Sequence, residues 1–380
     1  MTPIYLDNNA TTACDPAVVE AMLPYFTEQF GNASSMHSFG NKVAQGLKEA
    51  RVAVQKLIGA EHDTEIVFTS CGTEFDSTAI LSALKAQPER NQIITTVVEH
   101  PAILALCEHL EKEGAVVHRL KVDKKGRLDL DEYKSLLSPR TAIVSVMWAN
   151  NETGTLFPVE QMAAMARTVG AMFHTDAVQA VGKVPIDLAQ QPIDLMSLSA
   201  HKIYGPKGIG ALYLSDRLVQ AFRPPYLGGE QERGLRPGTE NLPYAMGLAA
   251  AATRLAKTMK SRDTAMKALN QRLRDGLKAF PEVELNSPEN AVPEVLNFSE
   301  NCIKSETMLA HLAQQQVYVS SASACGRGQP SHTLAAMGRD PLAIDTAIRV
   351  SFCADNTPED VDAFLNAFED GMKHLQRIRR

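Results

Sequence analysis

No Cys-x-x-Cys pair and no dense cysteine framework occur in the sequence; Cys14, Cys71, Cys107, Cys302, Cys325 and Cys353 are scattered along it. That usage excludes a disulfide-stapled scaffold and fits free thiols in a reducing compartment. The histidines and cysteines show no close ligand spacing, so no zinc-type metal site is expected. Basic excess is absent as well. With 38 Lys and Arg against 44 Asp and Glu, the formal charge is −6, which disfavours nucleic acid or an anionic membrane surface as a partner. The amino-terminal residues carry neither the basic start nor the apolar run of a signal peptide, and no stretch approaches the ~20 apolar residues of a membrane span. A cytoplasmic protein is expected. Biased tracts and internal repeats are missing too, which excludes collagen, coiled coil and disorder as the main architecture.

What remains is a chain of 380 residues, 44% hydrophobic, long enough for more than one core. Short β-branched runs alternate with amphipathic windows through its first two thirds. Glu65–Thr69 precedes a helix through Ile80–Lys85, and Gln92–Val98 precedes one through Ile103–Lys112. Strands follow at Ala142–Met147, Ala171–His174, Leu195–Ser199 and Gly210–Leu214. Such alternation implies an α/β fold, a mostly parallel sheet flanked by helices, with ligands bound at the carboxyl ends of the strands. Glycine and proline crowd residues 223–243, which reads as a functional loop. An Ala-rich helix from about Tyr244, a polar helix through Leu277, strands near Val295–Ser299 and Val317–Ser320 and a terminal helix suggest a smaller α+β domain. The expected division is residues 16–255 for the large domain, with 1–15 and 256–380 forming the small one.

Three features could carry chemistry. Lys202 lies in a turn-rich loop after an apolar strand, where a lysine is either a solvated surface charge or a Schiff-base nucleophile. Asp176 ends the strand before it, where a carboxylate is costly without a cation, although an N-cap aspartate would also suit. Thr69-Ser-Cys-Gly-Thr-Glu74 turns from a strand into a helix and could cradle phosphate on backbone N–H groups and the Thr73 hydroxyl, or simply cap the helix. Pyridoxal phosphate needs a lysine for its aldehyde, a carboxylate for its pyridinium and a cradle for its phosphate.

Further motifs carry a resemblance. Tyr5-Leu-Asp-Asn-Asn-Ala-Thr-Thr12, Val98-Glu-His-Pro101, Trp148-Ala-Asn-Asn-Glu-Thr-Gly154, His174-Thr-Asp-Ala-Val-Gln179, His201-Lys202, Gly234-Leu-Arg-Pro-Gly-Thr-Glu-Asn241 and Ser321-Ala-Ser-Ala-Cys325 join the Thr69 turn. From Tyr5 to about Phe364 the chain resembles the pyridoxal-phosphate-dependent cysteine desulfurases of the nitrogenase-associated type. The resemblance implies a fold-type-I homodimer that uses pyridoxal 5'-phosphate to convert L-cysteine to L-alanine and supplies sulfur to an iron–sulfur scaffold protein. It implies that Lys202 holds the cofactor's aldehyde, Asp176 its pyridinium nitrogen and His100 its ring face. Asn151 and Gln179 would contact the ring and its phenolic oxygen. Gly72, Thr73, Ser199 and His201 would hold the phosphate, with Thr239 contributed by the neighbouring subunit. Arg349 would bind the substrate carboxylate, and Asn32 either approaches the site or caps its own loop.

Cys325, in a run of small and polar residues, is by itself an exposed thiol; by the resemblance it receives the substrate's sulfur as a persulfide. His100 would serve as an acid or base for the substrate thiol. The chain departs from relatives of this type in four places. The loop after Cys325 is shorter, Ala322 replaces a glycine, residues 351–357 lack a second arginine, and Phe75 replaces a small polar residue. Cys71 and Cys353 are expected to be bystanders. Other chemistries on the same cofactor stay open: a β-elimination lyase, a selenocysteine-preferring lyase or an aminotransferase. A non-catalytic interaction protein on the same scaffold would lack a use for Lys202 and Asp176.

Overall fold

The computed structural model describes residues 3–321 and 330–378. Among them, a seven-stranded sheet runs in the order Ile66–Thr69, Gly210–Leu214, Leu195–Ser199, Met172–Asp176, Thr141–Ser145, Gln92–Thr96, Val116–Leu120. Only Gly210–Leu214 is antiparallel to its neighbours. Four inner strands, those starting at Thr141, Met172, Leu195 and Gly210, are buried at every residue, as strands covered on both faces must be. The chain winds outward from Gln92–Thr96 to Val116–Leu120, then returns to place Thr141–Ser145 on the other side. That reversal opens a crevice at the carboxyl ends of the first and last of these strands. His100 and Asn151 follow them directly.

The expected strands are present, with the edge strand Val116–Leu120 and the helix Ser38–Ile58 added. The edge strand was not legible because four of its five residues keep some exposure, which weakens the apolar signal. One expectation is corrected: the Ala-rich and polar helices after residue 243 are a single helix, Leu242–Leu277. The change in composition marks a change of surroundings along one uninterrupted backbone. Leu242, Ala245, Leu248 and Leu255 join the core under the large sheet, packed with Val43, Leu47 and Val54; Met266, Leu269, Leu273 and Leu277 join a second core.

That second core gathers Leu6, Phe298, Phe364 and Phe368 around an antiparallel sheet ordered Ala347–Ser351, Val295–Ser299, Glu284–Leu285. The rings of Phe298 and Phe368 meet edge to face, 5.6 Å apart. The amino-terminal strand Ile4–Tyr5 pairs in parallel with Val317–Tyr318, so the first residues of the chain belong with its last third. Among the described residues no helix is long and apolar enough to cross a membrane.

Gly154 sits where the two cores touch. It has φ +72°, its carbonyl accepts from Val292 N at 2.9 Å, and a Cβ there would stand 2.5 Å from Val295 Cγ1. Strain and overlap act together. Gly154→Ala is expected to lower the unfolding free energy by about 2 kcal/mol or more, read as a reduced urea midpoint at unchanged slope.

Candidate active site

A cavity of about 250 Å³ opens at the carboxyl edge of the sheet, and its lining brings together Gly72, Thr73, His100, Asn151, Asp176, Gln179, Ser199, His201, Lys202 and Arg349. Asn9, Ala10, Cys71, Asp76, Met147, Ala149 and Val178 complete it. Two expected site residues lie elsewhere. Asn32 is exposed and accepts from Ser34 N at 2.8 Å, so within this chain it caps its own turn rather than lining the cavity. Thr239 is exposed and lines a separate cleft with Ser70 and Arg236. Cys325, with Ala322 and Arg327, lies outside the described residues.

Lys202 ends the short turn Ala200–Lys202 that follows the strand Leu195–Ser199. Its ammonium donates to the backbone carbonyls of Asn9 and of Ala10, the latter at 2.9 Å. Thr12 Oγ donates to His201 O at 3.0 Å and accepts from Tyr204 N at 3.0 Å, which ties the amino-terminal motif to the lysine's own loop. Burial, then the charges of Lys202 and Lys207, push His201 down to about 4, so its ring is neutral.

Asp176 closes its strand with a carboxylate that accepts from Val178 N at 2.9 Å. Burial pushes it up, while that N–H and the His100 and Lys202 charges pull it back. Asp76, on the helix Gly72–Ala86, is pushed well above the usual carboxylate range by burial and then by the charge of Asp176. Two neighbouring buried carboxyls do not both ionise readily; Asp176, with a backbone donor and the Lys202 cation, is the one that keeps its charge. Behind them His174 is buried between Ser145 Oγ and Ser197 Oγ, each 2.8 Å away. Burial holds its pKa near 3, so its 3.7 Å approach to Asp76 is not an ion pair. His174 is thus a packing residue.

The helix Gly72–Ala86 begins at the cavity, and Cys71 at its N-cap makes no side-chain cap bond. Glu74 instead reaches back to Ser70 N at 2.8 Å, and Arg236 Nε donates to its other oxygen at 2.9 Å. Burial would raise Glu74, but Arg236 and Ser70 hold it low and charged. Cys71, expected to be a bystander, is exposed and belongs to the cavity lining. Phe75 points into the apolar layer beside Gly210, where it leaves the anion turn untouched. His100 caps the helix Pro101–Lys112: its Nδ1 accepts from Ala102 N at 3.2 Å.

Arg349 is 1% exposed and sits in the strand Ala347–Ser351 of the smaller sheet. It donates to Asp7 Oδ1 at 2.8 Å and to Asn151 O at 3.1 Å, while its Nε has no partner among the described residues. A buried guanidinium N–H left over at a cavity wall suits a carboxylate ligand. Both ends of the chain around residues 322–329 are tied down beside this wall. Ser320 pairs with the Arg349 backbone and donates to Asp7 Oδ1 at 2.9 Å. On the far side, Ser331 Oγ donates to Glu152, and His332 Nε2 lies 3.0 Å from Glu99 O.

A doubly wound sheet with a lysine, a buried carboxylate and an open helix turn at its carboxyl edge defines an α/β enzyme of the fold-type-I transferase architecture. The chain belongs to the aminotransferase class-V family, whose profile matches residues 4–364. It is 55% identical to the cysteine desulfurase NifS of Azotobacter vinelandii over 382 residues, covering all of this chain and 94% of that protein. A cysteine desulfurase of Gluconacetobacter diazotrophicus is 53% identical, with 100% and 95% covered. Among solved structures, a NifS-like protein superposes with a TM-score of 0.92 at 36% identity, over 98% of this chain and 100% of that one. The structure titled SspA in complex with cysteine gives 0.82 at 31%, over 92% and 98%.

Glu99 precedes His100 and is fully buried, accepting from Met147 N at 3.1 Å and Thr96 Oγ at 2.8 Å. Burial pushes its pKa from 4.5 to about 8, so between those values the folded chain keeps a proton that the unfolded chain gives up. Its cost to stability therefore grows as pH rises through that window. The melting temperature of Glu99→Gln relative to the parent is expected to climb steadily from pH 5 to pH 8; parallel curves would show that Glu99 does not titrate there.

Proposed function

We propose that this chain is a pyridoxal 5'-phosphate-dependent cysteine desulfurase that converts L-cysteine to L-alanine and takes the sulfur onto Cys325 as a persulfide for iron–sulfur cluster assembly. The observation that carries the reading is one cavity lined by Lys202, the buried Asp176 carboxylate and Arg349. These residues fit the cofactor. Asp176 supplies the negative charge for a ring cation, and the first turn of the helix at Gly72 and Thr73, with Ser199 and His201, supplies donors for a phosphate. Lys202 supplies the amine for the aldehyde, His100 a ring to cover one face, and Asn151 and Gln179 polar contacts. When bound, the group supplies an electron-accepting ring that makes the α-proton of an amino acid acidic.

The protein's own residues do the rest. Arg349 orients the substrate through its carboxylate, using the guanidinium edge that Asp7 and Asn151 leave open. Lys202, released to its amine, takes the α-proton. The thiolate of Cys325 attacks the sulfur of the substrate. A sulfur–sulfur bond forms and the carbon–sulfur bond of the substrate breaks with its electron pair left on carbon; His100 passes the proton of the substrate thiol to the β-carbon and Lys202 returns the α-proton, which leaves alanine and the Cys325 persulfide anion. Ser320, which precedes the cysteine's segment, is anchored beside Arg349, and Ser331, which follows it, is anchored on Glu152.

The same reading includes a homodimer in the cytoplasm, in which the exposed Thr239 completes the partner's phosphate site, and a scaffold protein as sulfur acceptor. Purified protein loaded with pyridoxal phosphate and given L-cysteine with a thiol reductant is expected to release alanine in step with sulfide. Pyruvate and ammonia in its place would mean β-elimination and leave Cys325 without a role. Lys202→Ala is expected to abolish turnover. Cys325→Ala is expected to keep the colour of the bound cofactor and lose the persulfide, followed by mass spectrometry of the intact chain.

A further inference from the structure

Behind Lys202 lies a second, half-buried lysine for which the mechanism above has no use. Lys183 occupies a tight turn after the Asp176 strand, where its N–H donates to Ala180 O at 2.9 Å and Val181 bridges to Val184. Gly182 makes the turn possible: it has φ +78°, and the Leu255 side chain fills the space a Cβ would need. The turn is thus clamped by the long helix. From it the Lys183 ammonium donates to Gln179 Oε1 at 2.7 Å and to Asn9 Oδ1 at 3.1 Å.

An ammonium has three donors and no acceptor, so whatever it touches on an amide must be the oxygen. That settles the orientation of both amides, which side-chain shape alone does not. The Gln179 nitrogen is then turned to Asn9 O, 3.0 Å away, with its second N–H left for the cavity that Gln179 lines. The Asn9 nitrogen is turned to Asn151 O at 3.2 Å. Asn9 O also receives Lys202, so one cation sets the polarity of the wall on which the reactive lysine rests. Glu294, nearly buried, lines the same small space with Arg262 and Tyr204 and has an oxygen without a partner among the described residues. Burial pushes Lys183 down to about 8, against the charge of Glu294 and with that of Arg349.

We propose that Lys183 is a positioning residue, which by holding Gln179 Oε1 obliges Gln179 to present an N–H donor to the anionic ring oxygen of the bound cofactor. The inference rests on the cofactor assigned above. An N–H donated to an oxyanion stabilises the deprotonated form and lowers its pKa. Without Lys183 the amide can turn its oxygen to that oxyanion, and the pKa rises.

The test is a pH titration of the visible absorbance of the pyridoxal-phosphate-loaded protein. Relative to the parent, Lys183→Met is expected to shift the midpoint upward by about one unit, and Lys183→Arg, which also has donors only, to restore it. A coloured Lys183→Met protein with the parental midpoint overturns the proposal, as does an Arg variant that shifts like Met. Should Lys183→Met not fold, Lys183→Gln replaces it, since its amide can donate or accept; a raised midpoint supports the assignment and an unchanged one overturns it. A parent protein that takes up no pyridoxal phosphate defeats the proposed function itself, and this inference with it. A parent that colours normally while the variants do not shift defeats only the inference.

Discussion

The site depends on where the Lys202 ammonium rests. Its two acceptors are backbone carbonyls of Asn9 and Ala10, from a segment that starts in one core and ends against the other. Leu6 is buried among the phenylalanines of the smaller core, Asn9 N donates to Ser351 Oγ, and Thr12 is stitched to the loop of His201 and Tyr204. The same segment supplies Asp7 to Arg349. The amine and the guanidinium are therefore placed by residues two and three apart in the chain, and their separation is set by the backbone.

Charge at the cavity floor is arranged by unequal burial. Asp176 and Asp76 stand close, both raised, yet only Asp176 has a backbone donor and a nearby cation. His174, neutral between two serines, and Glu99, raised to about 8, add no net charge beneath them near neutral pH. The floor thus offers one carboxylate to a cation in the cavity, and its other acids act as neutral packing. A cluster of titratable groups behaves as a single anion because water reaches so little of it.

Much of this was legible from sequence wherever one strand end carries the chemistry. Asp176, Lys202, His100 and Asn151 each follow an apolar run, and the winding of the sheet then brings those ends to one crevice. The parts that were not legible come from contacts between distant segments. Asp76 and Lys183 carry no local signature, and Asn9 bonds to residues 142 to 342 positions away. The single helix after residue 241 was read as two because its composition shifts when its surroundings do. Asn32 rested on family resemblance and is exposed away from the cavity in this chain; Thr239, expected to act in the neighbouring subunit, is exposed as well.

The uninterrupted helix has a further consequence for how the chain can vary. Each of its residues advances the backbone by about 100° around the axis, so the stretch between Leu255, in one core, and Met266, in the other, fixes a rotational phase between them. Deleting or adding one residue there would swing the strand bearing Arg349 around the helix while leaving Lys202 in place. Length in that stretch is constrained as tightly as any catalytic position, although its exposed side chains are free to change. Tolerated insertions should therefore come in whole turns or not at all.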